Sequence, residues 1–252
     1  MRVLRAISCP KEPDYPKANE DVYLASPDGR ALALSDGASE SFDSQTWGRL
    51  LCEAYLEWAS KSSASIQEID VKALLSDARD RFAEGLSQRV LSWSQQAAND
   101  RGNFATLLGI RELKDSVEVL AIGDSIAVWQ SPEGRPQSFP IQDPAEFAHN
   151  PVLLSTDPRG DETVFSKERT RWGWITIPKR DIDGGYVVLL TDAIGHYVLR
   201  ESLKGGLGST LPVLAQTPDH FRFWLSQQRF SRNIRKDDTT FALICLHATA
   251  QS

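Results

Sequence analysis

Residues 19–37 read NEDVYLASPDGRALALSDG, and the fold is best approached from this stretch. It contains two short apolar runs, at 22–24 and 31–34, separated by the turn-forming triplet PDG at 27–29. Because a turn signal between two apolar runs is typical of paired antiparallel strands, the stretch predicts a β-hairpin. The second strand runs directly into SDG at 35–37, so a carboxylate stands at its end.

Helix patterns follow the hairpin and then give way to strand patterns. Apolar residues recur at spacings of three and four after Asp43 and again over 66–90, which predicts two amphipathic helices that could cover one face of a sheet. After Gly102 the pattern predicts a meander of antiparallel strands, with Gly123 and Asp124 in a hairpin turn. These expected strands are 105–110, 117–122 and 125–129.

The last part of the chain returns to strands around one helix. Residues 131–183 are expected to be irregular apart from a strand at 174–177. A strand at 186–190, a helix that begins at Pro218 and a final strand at 239–246 complete the series. Helices in the middle of the chain, with antiparallel strands before and after them, predict α+β layers in a single domain, 1–252.

Composition excludes several classes of protein. The chain has 252 residues, of which 41% are hydrophobic and 25% are charged, so disordered, collagen-like and coiled-coil structures are excluded. A net charge of −6 gives no footprint for nucleic acid. Cys9, Cys52 and Cys245 form no CxxC motif, and no apolar run is long enough to span a membrane. We therefore expect a cytoplasmic protein with neither nucleic acid nor membrane as its partner.

Acidic residues recur at the ends of the expected strands: Glu20/Asp21, Asp36, Asp192 and Asp237/Asp238. Any one of them alone is adequately explained as a turn former or a helix cap. Together, on strands that lie side by side, they would bring their oxygens to one place and repel each other. Oxygen ligands favour magnesium, manganese or calcium, and two such cations about 4 Å apart suit phosphoester hydrolysis.

The ordered motifs resemble those of the metal-dependent protein phosphatases, the type 2C serine/threonine phosphatases, over essentially the whole chain. They are NED at 19–21, SDG at 35–37, AT at 105–106, IGDS at 122–125, LTD at 190–192 and KDDTT at 236–240. SDGASES at 35–41 and IRKDDTTFALI at 234–244 are most similar to a bacterial branch of that family. The resemblance implies a four-layer α-β-β-α sandwich of two antiparallel sheets flanked by helices.

The resemblance also implies a centre of two divalent cations, manganese or magnesium. Asp36 would bridge the two cations, the Gly37 carbonyl would support one of them, and Asp192 and Asp237 would hold the other. Glu20 would lie on the Gly37 side. The implied ligands are Glu20, Asp21, Asp36, Gly37, Asp192 and Asp237, of which Asp36, Asp192 and Asp237 are the catalytic residues.

The chain departs from the family pattern at several positions. Ala38 stands where many members have a histidine, so no donor is assigned for the leaving-group proton. Pro16 replaces a phosphate-gripping arginine, and the neighbouring Lys17 is either a substitute for it or a solvated lysine. Asp124 remains available for a third metal, but His196 replaces the second aspartate of that site.

Other basic residues leave two interpretations open. Arg229, Arg232, Arg235 and Lys236 form either a basic rim that attracts an acidic phosphopeptide or a solvated helix face. The remaining histidines, His149, His220 and His247, have no partner at ligand spacing and are expected in ordinary surface or core roles.

The sequence therefore predicts a phosphatase that removes phosphate from serine or threonine side chains of proteins and opposes a serine/threonine kinase. The alternative is a weak or inactive family member that acts as a phosphoprotein-binding regulatory module. The missing histidine and the replaced arginine favour the alternative, whereas the complete set of acidic ligands favours the enzyme.

Overall fold

Two antiparallel sheets of five strands each form the centre of the computed structural model, which describes residues 1–39, 41–166 and 172–246. The strands of the described residues are β1 (Arg2–Cys9), β2 (Val22–Ala25), β3 (Ala31–Ser35), β4 (Phe104–Ala105), β5 (Leu107–Glu112), β6 (Ser116–Ile122), β7 (Ile126–Gln130), β8 (Pro136–Phe139), β9 (Leu154–Ser155), β10 (Trp172–Pro178), β11 (Tyr186–Leu190) and β12 (Thr239–Cys245). The first sheet has the order β1-β12-β11-β7-β8, the second has the order β10-β6-β5-β3-β2, and β4 pairs with β9.

Helices cover the outer face of each sheet. The helices of the described residues are α1 (Ser44–Lys61), α2 (Glu68–Ser87), α3 (Trp93–Asn99), α4 (Asp161–Val164), α5 (Asp192–Gly205), α6 (Leu211–Leu214) and α7 (Pro218–Phe230). One apolar core lies between α1, α2 and the second sheet, and another lies between α5, α7 and the first sheet. A third core, which includes Leu32 and Leu189, fills the space between the sheets. The predicted α+β fold, an α-β-β-α sandwich, is confirmed.

Helix α1 has the apolar face that its sequence predicts. Trp47, Leu51 and Tyr55 recur at spacings of four and are almost completely buried against the second sheet. The Trp47 indole Nε1 donates a hydrogen bond to the Leu154 carbonyl at 2.9 Å, so the helix is also attached to β9. Tyr55 fits because Gly109 in β5 has no side chain, since a Cβ there would lie 2.4 Å from the Tyr55 ring.

The predicted hairpin between β6 and β7 is wrong. β6 pairs with β5 and β10 in the second sheet, whereas β7 pairs with β8 and β11 in the first. The chain crosses between the sheets at Gly123, whose φ of +109° favours glycine. The expected three-stranded meander is therefore limited to its first two strands. A local turn signal does not specify which distant strand the next segment will pair with.

Two helix predictions need correction. The expected helix at 66–90 is shorter, Glu68–Ser87, and Val90 is fully exposed beyond its end. A separate helix, α3, follows and is capped by Ser92, whose side chain accepts a hydrogen bond from the Gln95 backbone N–H. Helix α5 was not predicted either, although its buried residues Ile194, Val198 and Leu199 carry a helical spacing.

The remaining strand predictions agree with the structure. The hairpin at 22–34 is confirmed as β2 and β3, and the expected strand at 186–190 is β11. The expected strand at 174–177 lies within β10, while the rest of 131–183 contains more short elements than the sequence predicts. In the described part of the chain, no helix combines the length and the apolar character needed to cross a bilayer.

Candidate metal centre

Asp36 directly follows the last residue of β3, at one end of the second sheet. Its backbone N–H donates to Thr106 Oγ1 at 2.9 Å, and the Thr106 N–H donates to the Asp36 carbonyl at 2.9 Å. Gly37, the next residue, forms an isolated β-bridge with Ala105. These bonds hold the Asp36 backbone in one position, so its carboxylate is presented by a rigid element.

Gly37 lies where no side chain fits. A Cβ atom at this position would lie 2.8 Å from Ser44 Cβ and 2.9 Å from the Glu20 carbonyl oxygen. Both distances are shorter than real Cβ contacts, so the local packing requires glycine. The close approach places the Gly37 backbone beside Glu20, the neighbour that the family resemblance implies.

Thr191 connects the acidic ends of the two sheets. Its backbone N–H donates to the Thr240 carbonyl at 2.9 Å, and its Oγ1 accepts a hydrogen bond from the Thr240 N–H at 2.9 Å. The same hydroxyl donates to Asp21 Oδ2 at 3.1 Å. Since Asp21 precedes β2 in the second sheet, this bond brings its carboxylate to the ends of β11 and β12 in the first.

Asp192 is the first residue of α5 and is buried. The positive end of the helix dipole and the Ala193 amide both favour its ionised form. Burial nevertheless raises the pKa of Asp192, although the nearby Arg235 acts in the opposite direction. The helix that the sequence did not predict is therefore the element that positions this carboxylate.

Asp36 lies among other carboxylates. Burial raises the pKa of Asp36 well above its usual value. Four neighbouring carboxylates raise it further: Asp21, Asp192, Asp124 and Asp237. Burial likewise raises the pKa of Asp21, and Asp238 and Asp192 add to that rise. Repulsion among these groups means that the ionised cluster is destabilised unless a cation compensates it.

Two oxygens of this cluster are buried without a hydrogen-bond partner, Asp21 Oδ1 and Asp192 Oδ1. An unpartnered buried carboxylate oxygen is costly, and such atoms in native proteins are often ligands. Together with the Gly37 carbonyl, the donors here are all oxygens, which suits magnesium or manganese. The chemistry of these donor atoms therefore suits a hard divalent cation.

Arg235 now neutralises part of the cluster. Its guanidinium donates to Asp192 Oδ2 and also lies 2.9 Å from Asp237 Oδ2. In the described ranges, no three His, Cys, Asp or Glu side chains are arranged so as to hold a metal ion. Sequence reasoning placed Arg235 only on a possible basic rim, and its position two residues before Asp237 is the signal that could have identified its role.

Glu20 faces a different set of partners. Lys11 Nζ lies 2.8 Å from Glu20 Oε2, and the hydroxyls of Ser39 and Ser44 donate to the Glu20 carboxylate at 2.6 and 2.9 Å. Sequence reasoning missed Lys11, because nothing local to residue 11 indicates a contact with Glu20. Lys17, the predicted phosphate-binding cation, is instead exposed on the 3-10 turn Pro16–Ala18.

The adjacent aspartates Asp237 and Asp238 have different roles. Asp238 is buried and accepts the backbone N–H groups of Lys11, at 2.6 Å, and Glu20, at 2.8 Å, so it holds the chain before β2 in place. Asp237 is partly exposed and has its Oδ2 directed to Arg235. Of the two, Asp237 is the more exposed, and its Oδ1 accepts the Asp238 backbone N–H at 3.0 Å.

Asp124 and His196 both lie near this cluster. Asp124 is buried at the crossing between the sheets, and its charge contributes to the raised pKa of Asp36. His196 packs edge-on against Phe147 and lines a cleft of about 300 Å³ with Asp192 and Arg235. Burial lowers the pKa of His196, and the charges of Arg200 and Arg235 act in the same direction.

The other predicted basic residues are the remaining histidines and the arginines near the end of α7. His149 and His220 are exposed, and His247 lies outside the described residues. Arg229 donates to the carbonyls of Pro10, at 3.0 Å, and Asp237. Because α7 ends at Phe230, Arg235 is not on a helix face. Arg229 lies on α7 and contacts the Asp237 carbonyl, whereas Arg235 pairs with the Asp237 carboxylate. That these residues attract an acidic phosphopeptide stays a prediction.

The fold and the acidic edge together define a two-sheet protein with an oxygen-rich cluster suited to divalent cations. The family model described as "Protein phosphatase 2C" matches residues 17–224. The chain therefore belongs to the protein phosphatase 2C family. Among the curated proteins compared with the sequence, none matches.

Solved bacterial structures share the fold at low sequence identity. The serine/threonine phosphatase Stp1 from Staphylococcus aureus matches with a TM-score of 0.62 and 14% identity, over 98% of this chain and 96% of that chain. The Mycobacterium tuberculosis phosphatase PstP/Ppp matches with a TM-score of 0.58 and 15% identity, over 97% and 98% of the two chains. A PstP catalytic domain in complex with two manganese ions matches at 0.58 and 16%, over 95% of each chain.

Proposed function

We propose that this protein is a metal-dependent phosphatase that hydrolyses phosphoserine and phosphothreonine in proteins with two manganese or magnesium ions. One observation carries the proposal. Asp21, Asp36 and Asp192 are brought together from separate strands and a helix, with raised pKa values and two unpartnered buried oxygens. The family membership and the dimanganese structure of PstP support the same reading.

The proposed ligand roles are those that the family resemblance implies. Asp36, which lies among the other carboxylates, would hold the cations together with the Gly37 carbonyl. Asp192 and Asp237 would hold the second cation, while Asp21 and Glu20 complete the set and Asp124 serves a possible third. When bound, the cations supply electrostatic stabilisation of the phosphoryl group and activation of the attacking water.

The chain's own residues prepare this site. Thr191 holds the Asp21 carboxylate by a hydrogen bond of 3.1 Å, and Thr106 holds the Asp36 backbone. Lys11 orients Glu20. Arg235, whose side chain is 60% exposed, would hold phosphoryl oxygens in place of the arginine that Pro16 replaces, if cations took over its carboxylate partners.

We also propose a single-domain organisation and a phosphoprotein substrate for this chain. The whole chain, 1–252, acts as one phosphatase domain, because both sheets contribute to the acidic cluster. Its substrate is a phosphoprotein, and its activity opposes that of a serine/threonine kinase.

Hydrolysis of an aryl phosphate and of a phosphothreonine peptide by metal-stripped protein tests the proposal, with manganese and magnesium titrated separately. We expect activity that returns with metal and is lost in Asp36→Ala. Nucleotides and sugar phosphates, run beside the peptide, show whether the substrate is a protein. Higher turnover of these small esters than of the peptide would contradict a protein phosphatase.

The alternative function, a phosphoprotein-binding module, has one observation in its favour. Arg235 pairs with Asp192 and Asp237, so two of the proposed metal ligands have a cationic partner within the chain itself. Folded protein that binds the phosphothreonine peptide but hydrolyses neither substrate with either metal would support the module and overturn the enzyme.

A further inference from the structure

A groove of about 720 Å³ separates the segment after β1 from helix α7. Pro13 and Pro16 form part of one wall, and Leu225 and Phe230 of α7 form part of the other. Phe230 is 87% exposed, an unusual position for a large aromatic side chain unless something covers it. The prolines on one wall have no backbone N–H to donate, and Phe230 on the other wall offers an apolar contact.

The groove is basic in an acidic protein. Its lining includes Lys11, Arg222, Arg229 and Lys236, and none of the described residues that line it is Asp or Glu. Carboxylates beside the groove pair with three of these cations: Glu20 with Lys11, Asp219 with Arg222 and Glu12 with Lys236. The Arg222 and Lys236 pairs are exposed and therefore weak, so acidic side chains of a ligand can replace their partners. The chain as a whole carries a net charge of −6, so this concentration of positive charge is local. Such a lining favours an anionic occupant.

Arg229 makes the inner wall of the groove rigid. Its guanidinium donates to the Pro10 carbonyl and to Thr239 Oγ1, both at 3.0 Å, and also to the Asp237 carbonyl. Its Nε is buried without a partner. The arginine thus connects α7 to both neighbouring segments, so the groove is preformed.

The groove leads to the acidic cluster. Lys11, which lines it, lies 2.8 Å from Glu20, and Lys236 directly precedes Asp237. A peptide whose phosphorylated residue reaches the cluster would therefore have neighbouring residues within the groove.

We propose that this groove binds the flanking segment of a phosphopeptide substrate that carries acidic side chains and an apolar residue. The acidic side chains face the basic lining, and the apolar residue packs on Phe230. This inference rests on the proposed function and adds a substrate class to it, namely phosphoproteins whose modified site is followed or preceded by acidic residues.

Peptide binding to the metal-free protein tests the groove without catalysis. Fluorescence anisotropy compares a phosphothreonine peptide that has acidic and aromatic flanking residues with the same peptide carrying lysines in place of the acids. Arg222→Glu and Phe230→Ala alter the groove. Arg180→Glu and Phe223→Ala are matched controls, because both residues are exposed and neither lines the groove.

We expect wild-type protein to prefer the acidic peptide, and each groove variant to weaken its binding by about threefold to tenfold, as expected for a few partly exposed contacts. The controls should bind as wild type does. Equal binding of the two peptides, or equal loss in the controls, would overturn the proposal.

Kinetics separate this proposal from the proposed function. With manganese, Arg222→Glu should lower kcat/KM for the acidic phosphopeptide by about the same threefold to tenfold but leave aryl phosphate hydrolysis unchanged, because the small ester does not reach the groove. If the enzyme is active but does not prefer the acidic phosphopeptide, only the groove proposal is contradicted. If the protein prefers the acidic peptide in binding but hydrolyses no substrate, only the proposed function is contradicted.

Discussion

Asp36 shows how a single residue can be unfavourable for folding and still fit the proposed function. Burial and the surrounding carboxylates raise its pKa, so its ionised form is disfavoured in the metal-free protein. The same repulsion is what a pair of divalent cations would relieve. The ionised Asp36 carboxylate that would bind metal therefore lowers the stability of the metal-free fold.

The first prediction concerns the pH dependence of stability. Because the pKa of Asp36 is raised on folding, the metal-free folded state binds more protons than the unfolded state above a pH of about 4. The contribution of Asp36 to the free energy of unfolding should therefore decline as the pH rises from about 4 through the raised pKa of Asp36. Asp36→Asn should reduce this decline and raise the Tm of the metal-free protein at neutral pH, as measured by thermal melts across pH.

Asp143→Asn is the control for this prediction, since Asp143 is exposed and lies outside the acidic cluster. An Asp36→Asn protein whose Tm follows pH as steeply as that of the wild type would show that the carboxylates do not repel each other as described.

The second prediction concerns Arg235, whose guanidinium pairs with Asp192 and Asp237. Arg235→Gln removes a cation that competes with metal. Manganese should therefore bind about threefold to tenfold more tightly, the range expected for a half-exposed ion pair, as measured by titration calorimetry. Inorganic phosphate should at the same time inhibit the variant less.

Arg180→Gln provides the comparison, because Arg180 is exposed and pairs only with Asp181 among the ion pairs of the described residues. Manganese affinity that stays unchanged or falls in Arg235→Gln would show that the arginine does not occupy the position of a cation.

At the scale of elements, the packing of α1 on the second sheet depends on a glycine. A Cβ at Gly109 would lie 2.4 Å from the Tyr55 ring, whereas a Cβ at Gly85 in α2 has no atom within 4 Å. The third prediction is that Gly109→Ala lowers the free energy of unfolding by about 1–3 kcal/mol through overpacking. Gly85→Ala should raise it by about 0.5–1 kcal/mol, because alanine favours an exposed helix.

Urea denaturation measures both glycine variants under the same conditions. A Gly109→Ala protein as stable as the wild type would mean that Tyr55 can move aside without cost, which contradicts the overpacking argument.

The crossing at Gly123 shows what element-level patterns leave undecided. Strands β6 and β7 follow each other with a turn signal between them, yet they belong to different sheets. The crossing nevertheless places Asp124 beside Asp36 and Ser125 beside Thr106, whose hydroxyls lie 2.9 Å apart. A hairpin would not have joined the two sheets at this point.

At the scale of the whole molecule, the acidic cluster lies where the two sheets meet, so metal binding should stabilise the entire fold. The fourth prediction is that manganese raises the Tm of wild-type protein in a concentration-dependent way. Ligand at 100 times its Kd adds about 2.7 kcal/mol to the free energy of unfolding. Asp192→Asn should reduce the shift, and potassium chloride at equal ionic strength controls for screening.

A rise in Tm that is equal in Asp192→Asn and in wild type would place the bound metal elsewhere. The readout is scanning calorimetry, which requires no substrate and so does not depend on the proposed activity.

Several parts of the fold were predictable from the sequence because their signals are local. The hairpin β2–β3, helix α1 and strand β11 follow from apolar spacing and turn residues within a few positions. The order of acidic motifs indicated the family, since each aspartate stands at a strand end. The apolar pattern does not predict the boundaries of α2 or the presence of α3 and α5, because its periodicity is weak there or is interrupted by polar residues.

The contacts of the site required the tertiary structure. Residues far apart in sequence form them: Lys11 with Glu20, Thr191 with Asp21, and Arg235 with Asp192. Asp237 and Asp238 are adjacent and chemically identical, yet one is directed to Arg235 and the other binds backbone amides. Direction of a side chain depends on its neighbours in space, which a linear pattern does not contain.

The fold class, most of the strands and the carboxylates at several strand ends can be predicted from the sequence alone, because these properties depend on local spacing and residue chemistry. Only the tertiary structure decided which sheet each strand joined, which cations neutralise the carboxylates, and where the basic groove lies. Those features are set by packing between distant segments, whose free energy depends on contacts that no single stretch of the chain can make alone.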